Sequence, residues 1–265
     1  MNAGGVGPYA VLGWDASSVS VGTLQGGDPE LRRVATRWRD IRNCVAAPDG
    51  SWLLVSGVAT DSGAHGLWRV NPTDGPSRAL LEADYLLHGA VDPTGSRVAY
   101  TAPPARSRSD TSLHLLDLAD SASRLVVEGS LAVDCIPSWR TPGHVLFHTE
   151  DREIVELDLA SGRSRRLFAG EHPAPSPDGS RIAYRTGPTV LVAGAPGPRA
   201  DVSPRWGLLH RPYRGGMSWS PDGRLLLLAR TGGTLGYELD FGALDVQTQE
   251  LTRIRQRYLR GLVFS

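Results

Sequence analysis

Two histidines occupy matching places in this chain. His88 closes Tyr85-Leu86-Leu87-His88 and lies four residues ahead of Asp92-Pro93. His172 closes Gly170-Glu171-His172 and lies four residues ahead of Ser176-Pro177. Imidazole titrates closest to neutral pH, so two rings turned toward one space suit a general acid/base pair or two metal ligands. The alternative is that each ring satisfies a backbone carbonyl of a neighbouring element. Asp134 and Glu171 stand in comparable segments. They either orient the histidines or pair with Arg42, Arg214 and Arg260 as ordinary ion pairs. Cys135 is a nucleophile if His88 or His172 reaches it, and otherwise a buried inert thiol. The catalytic candidates are therefore His88, His172, Asp134 and Glu171. The binding candidates are Arg42, Asn43, Tyr85, Cys135, Tyr213, Arg214, Tyr258 and Arg260.

Other chemistries find no support in the pattern. His144 and His148 are four apart, but on a strand that spacing separates side chains by about 13 Å, too far for one ion. No metal and no cofactor are expected. There is no phosphate loop, dinucleotide fingerprint or Gly-x-Ser-x-Gly elbow.

The elements that position these residues come from a repeat. Ser220-Pro221-Asp222-Gly223 is a turn: proline sets φ, aspartate bonds the local backbone, and glycine takes positive φ. Met217 and Trp219 precede it, and the apolar run Leu225–Leu228 follows, which makes a buried hairpin. Related stretches are Ala47-Pro48-Asp49-Gly50, Asp92-Pro93-Thr94-Gly95 and Ser176-Pro177-Asp178-Gly179, with a degraded one at Trp139-Arg140-Thr141-Pro142-Gly143. The glycines Gly50, Gly95, Gly143, Gly179 and Gly223 are spaced by 45, 48, 36 and 44 residues. A period of about 40–45 residues suits one four-stranded propeller blade.

Trp219-Ser220-Pro221-Asp222-Gly223-Arg224 followed by an apolar strand resembles the TolB-type, or PD40, β-propeller repeat, a relative of WD40. The likeness is strongest at residues 219–230, good at 177–186, fair around residues 48 and 93, and weak around residue 142. It implies a fold and no catalytic residue.

The expectation is an all-β, six-bladed propeller of four-stranded blades. Residues 1–8 form a flexible leader and 9–265 a single domain. The first blade is a hybrid of 9–40 with 258–265: Arg260-Gly261-Leu262-Val263-Phe264-Ser265 matches the segment ahead of a repeat turn. The last strand then closes the ring and removes a sheet edge. The remaining blades are 43–82, 88–128, 136–168, one starting at His172 with an irregular section from Ala195 to Tyr213, and 217–254. Leu31–Ala35 reads as the third strand of the first blade; residues 31–43 alternatively hold a short helix, because Val34, Trp38 and Ile41 have helical spacing. The loop from Ala102 to Asp110 is solvated, or serves as a lid or docking arm.

Composition narrows the class. The 265 residues suffice for one large β domain, and 28 basic residues balance 28 acidic ones. Nucleic acid and membrane are therefore not expected partners. Every basic residue is arginine, which points to a GC-rich bacterial genome. Cys44 and Cys135 stand two blades apart, so both are expected as free thiols in a reducing compartment. The N-terminus lacks the basic and apolar regions of a signal peptide. TolB-type proteins are often exported, so this chain departs from that pattern, and a cytoplasmic monomer is expected. The segments before the inner strands should converge on one mouth of the central channel. The first function is binding a protein, peptide or small ligand there. The second is a cofactor-free lyase, cyclase or hydrolase using the histidines and carboxylates.

Overall fold

The computed structural model describes residues 9–25, 28–35, 37–73, 77–85, 87–103, 111–194, 197–201, 216–232, 238–254 and 259–264. They form six four-stranded antiparallel sheets. Each blade meanders outward from a short inner strand that lines the axis. Blade two, for example, runs Trp38–Ala46, Leu53–Ala59, His65–Val70 and Ser77–Ala83. The inner strands of the next four are His88–Val91, Ser138–Thr141, Glu171–Pro175 and Ser218–Trp219. In blade one the inner strand is Gly261–Phe264, followed by Tyr9–Trp14, Val19–Gln25 and Asp28–Ala35.

Ring closure follows the expected scheme. Val11 faces Phe264, Leu12 faces Val263, Gly13 faces Leu262 and Trp14 faces Gly261. Alternate residues of this hybrid blade face opposite neighbours, as the two-residue period of a strand requires. Val11, Leu262 and Phe264 pack against blade six, and Leu12, Trp14 and Val263 against blade two.

The repeat residues fasten one blade to the next. Trp139 donates its indole N–H to the Ala90 carbonyl at 2.9 Å, and Trp219 donates to Ala174 at 2.8 Å. After two of the turns an arginine reaches forward, while Arg224 pairs with Asp245 of its own blade. Arg97 lies over the Trp139 ring and donates to the Pro142 carbonyl; Arg181 lies over Trp219 and donates to Gly223. Each such arginine thus combines a cation–π contact with a hydrogen bond to the neighbouring turn. The turns also bond within themselves. Asp178 accepts from the Ser176 and Ser180 hydroxyls and the Ser180 N–H, which pulls its pKa down to about 2. Gly50, Gly95, Gly179 and Gly223 all take φ between 67° and 74°.

Three expectations need correction, and one alternative falls away in favour of the strand read at Leu31–Ala35. Residues 31–43 hold no helix; the outer strand of blade one ends at Ala35 and the inner strand of blade two begins at Trp38. The helical spacing of Val34, Trp38 and Ile41 arises because two strands meet there. The hybrid blade consequently stops at 35, not 40, and Asp40–Asn43 belong to a strand. Gly143 is not left-handed, because Thr141 and His144 face each other across a two-residue link. That shorter turn accounts for the weak copy of the repeat. The section after Ala195 contains the outer strand Gly197–Asp201 of blade five. The leader 1–8, most of the loop from Ala102 to Asp110, and residues 202–215 lie outside the described residues.

Candidate functional site

A cavity of about 460 Å³ runs along the axis between the inner strands. Its wall is mainly apolar, with Ile136, Trp139, Met217, Trp219, Leu262 and Phe264 among the lining residues. Polar groups are few and placed at particular points. Asn43 sits in the wall with its amide NH₂ donating to the Gly89 carbonyl at 2.8 Å, while its Oδ1 is buried without a partner. Arg42, Arg260 and His172 also border the cavity. Both arginines share one carboxylate: Asp40 accepts from Arg42 at 2.6 Å and from Arg260 at 2.8 Å. Two guanidiniums on one carboxylate leave a net positive charge at this place. Gly216 borders the same space, and a Cβ there would meet nothing within 4 Å.

A second cluster, which shares His172 with the cavity, joins Asp134, His148 and His172. His148 Nε2 is 3.4 Å from one Asp134 oxygen and His172 Nε2 is 3.5 Å from the other. The two imidazoles lie 4.8 Å apart, centroid to centroid. The backbone holds them there. The His148 N–H donates to Cys135 Sγ at 3.3 Å, and the His172 N–H reaches His148 Nδ1 at 3.4 Å. Leu131 forms a bridge with Thr149, and the Ala132 N–H donates to the His148 carbonyl. His172 itself has φ of 52°, and Ser130 has 64°. Non-glycine residues in this region carry strain and are frequent at functional sites.

The electrostatics follow from these contacts. The imidazoles of His148 and then His172, one beside each oxygen, hold the Asp134 carboxyl well below the usual carboxylate range. Its side chain is 71% exposed, so solvent screens the pair and its contribution to stability is small. Burial disfavours a charged His148, but Asp134 and then Cys135 overcome this and raise its pKa to about 9. The accepting Nδ1 opposes them: a ring that takes the His172 N–H there carries its one proton on Nε2. This geometry therefore fits the neutral ring. Burial dominates at His88 and lowers its pKa to about 4, with Asp134 working in the opposite sense. The Nδ1 atoms of both His88 and His172 are buried without a partner.

The structure sorts the sequence candidates. Asp134 and His172 come together, the first of the two alternatives open for Asp134. Glu171 does not orient a histidine and does not pair with Arg42 or Arg260. It bonds Arg185 at 2.6 Å and Arg152 at 3.0 Å; burial acts against its charge, but Arg185 and then Arg152 keep its carboxyl below the ordinary value. Asp134 likewise meets histidines and not arginines. Cys135 is fully buried in the core between blades three and four and accepts a backbone N–H, so the inert-thiol reading holds. Both cysteines are free. Tyr85 packs against the core of blades two and three. Tyr213, Arg214 and Tyr258 lie outside the described residues. His148 is the residue that sequence reasoning missed. It ends His144–His148, the second strand of blade four, while its partners come from a loop and another blade, so no short spacing announces it. His144, the other half of the rejected pair, bonds Thr141 instead.

No family model matches this sequence, and no curated protein matches it. Solved structures do. A TolB from Acinetobacter baumannii superposes with a TM-score of 0.76 at 14% identity, over 97% of this chain and 66% of that one. The fold is that of a TolB-type propeller. This propeller therefore spans less than two thirds of the length of that TolB. A chain in a nidogen/laminin complex gives a TM-score of 0.72 at 12% identity, over 96% and 97% of the two chains. An oligogalacturonate lyase in complex with manganese gives 0.57 at 13% identity, over 92% and 77%. Identities this low speak to the fold of this propeller, and its activity has to be argued from its own residues.

Proposed function

We propose that this protein is a binding propeller whose axial channel receives a peptide or a small anionic ligand. The observation that carries this reading is the 460 Å³ cavity itself, apolar along its wall and bordered by the Arg42–Asp40–Arg260 group. A concave apolar space with a few placed polar groups is the usual form of a ligand site. A guanidinium pair with one carboxylate between them favours an incoming carboxylate or phosphate. A cytoplasmic location and a monomeric state belong to the same proposal.

The test uses Gly216. Gly216→Trp places a bulky group at the border of the channel without a clash at its Cβ, so it should obstruct binding and leave the melting temperature unchanged. Fragments and short acidic peptides found by ligand-observed NMR on the wild-type chain should lose their signal in this variant and weaken at least tenfold in Arg42→Ala. Binders indifferent to both changes overturn the reading.

A second reading, a lyase, cyclase or hydrolase, is favoured by one feature. The strained His172 presents Nε2 to Asp134 and leaves Nδ1 without a partner. A carboxylate that fixes the tautomer of a histidine base is a recurring catalytic arrangement. A ligand captured in the channel that is also turned over by wild type, and not by His172→Asn, supports this reading. Turnover unchanged in that variant sinks it.

A further inference from the structure

We propose that Asp134, His148 and His172 form a binding site for one divalent first-row transition-metal ion, of the kind that Zn²⁺ represents. The inference goes beyond the channel reading and rests on different residues' geometry. One ligand atom from each of the three residues lies within 4.8 Å of the other two. The two nitrogen–oxygen distances, 3.4 and 3.5 Å, are too long for charge-assisted hydrogen bonds, which close to about 2.7–2.9 Å. Each is close to the edge of a tetrahedron around a metal, but they end on different Asp134 oxygens, so the rings close in on one oxygen when an ion binds. With metal–nitrogen and metal–oxygen bonds of about 2.0–2.1 Å, that edge is about 3.3–3.4 Å. Two imidazole nitrogens and a carboxylate are a common zinc donor set, and three protein ligands leave a fourth position open. Here that position faces outward, because the Asp134 side chain is 71% exposed while His148 and His172 are 2% and 10% exposed.

The backbone around the cluster supplies what a metal site needs. The ligands come from three separate segments, and each is fixed before any ion arrives. His148 is tied to Cys135, the residue after Asp134, through its own N–H. The loop carrying Asp134 is strapped to the strand end at 148–150 by the Leu131–Thr149 bridge and the Glu150–Ser130 backbone bond. His172 is held in the left-handed region, which turns its ring toward the same place. One contact must change on binding. Coordination through His148 Nε2 moves the proton of the neutral ring to Nδ1, so the 3.4 Å contact from the His172 N–H is given up. Metal binding should therefore shift the His172 amide resonance.

The experiment is Zn²⁺ titration of the full chain, stripped with chelator and freed of any purification tag, by calorimetry at pH 7.5. One ion per chain is expected. Asp134→Ala, which removes an exposed side chain, and His148→Gln should each weaken binding at least about a hundredfold, more than loss of an outer-shell partner does. His144→Ala, on the same strand as His148, should bind as wild type. Co²⁺ should give the intense visible bands of tetrahedral coordination in wild type and lose them in Asp134→Ala. Absence of stoichiometric binding, or binding that survives Asp134→Ala with an unchanged Co²⁺ spectrum, overturns the proposal. These outcomes are independent of whether Gly216→Trp blocks the channel.

Discussion

Phe264→Ala tests the closure of the ring and its consequences for the channel together. Four residue pairs join the inner strand Gly261–Phe264 to Tyr9–Trp14. Phe264 is 8% exposed and packs with Val11, Leu24, Leu227 and Phe241 on the face toward blade six. Its ring meets Tyr9 edge to face at 5.4 Å, and its N–H donates to Ser218 Oγ at 2.9 Å. Truncating a buried phenylalanine costs about 3–5 kcal/mol, of which the aromatic pair accounts for about 0.5–1.5. The lower end applies, because Phe264 borders the axial cavity and water can enter the space it leaves. The expected loss is about 3 kcal/mol, a large share of the roughly 5–15 kcal/mol that holds a typical domain.

Urea unfolding followed by circular dichroism measures it. Val263 is the internal control: it is one residue away, half-buried, and turned toward blade two. Val263→Ala should cost about 1 kcal/mol or less. A double-mutant cycle with Tyr9→Ala should return about 0.5–1.5 kcal/mol of coupling. A loss below 1 kcal/mol for Phe264→Ala, or equal losses at 263 and 264, would refute the alternating packing and the closure derived from it.

Two further outcomes follow from single groups. His88 has its pKa lowered from 6.5 to about 4, chiefly by burial. Its contribution to stability is therefore full above pH 6.5 and is lost as pH falls toward 4, because the unfolded chain takes the proton first. A shift of this size corresponds to about 3 kcal/mol at most. The ring is only partly covered, so about 1–2 kcal/mol is expected, and His88→Gln should flatten the stability profile between pH 6.5 and 4 by that amount. An identical profile for the variant contradicts the assignment. Gly179 and Gly50 separate backbone strain from crowding. Both have φ of 68°, but a Cβ at Gly179 would sit 2.9 Å from the Arg140 carbonyl oxygen, and one at Gly50 meets nothing. Gly50→Ala should cost about 1 kcal/mol from the left-handed conformation alone. Gly179→Ala should cost clearly more, and equal melting-temperature shifts would count against this account.

The blades were legible because their turns and strands are local. Pro221-Asp222-Gly223 writes a turn in consecutive residues, and the Leu225–Leu228 run that follows is buried throughout. The closing strand was legible for the same reason, since Phe264 stands where the repeat has Trp219. Errors fell where local signals overlap. Residues 31–43 mimic a helix because two strands from different blades adjoin there. The role of the repeat arginines was not visible at all: Arg97 and Arg181 act on the next blade, and their partners are 45 and 42 residues away.

The site divides along the same line. The position of His172 was readable from the repeat, but its partner His148 was dismissed with the strand argument that separates it from His144. That argument was sound for two residues on one strand. It fails for a site assembled from three segments, where a loop brings Asp134 to the end of one strand and the start of another. The strain at His172 explains why this junction is unusual. A repeat that only needed to begin an inner strand would not require a histidine at φ of 52°, with one nitrogen aimed at a carboxylate and the other left without a partner. The fold tolerates that arrangement because the scaffold around it is over-determined by the Cys135–His148 and Leu131–Thr149 contacts.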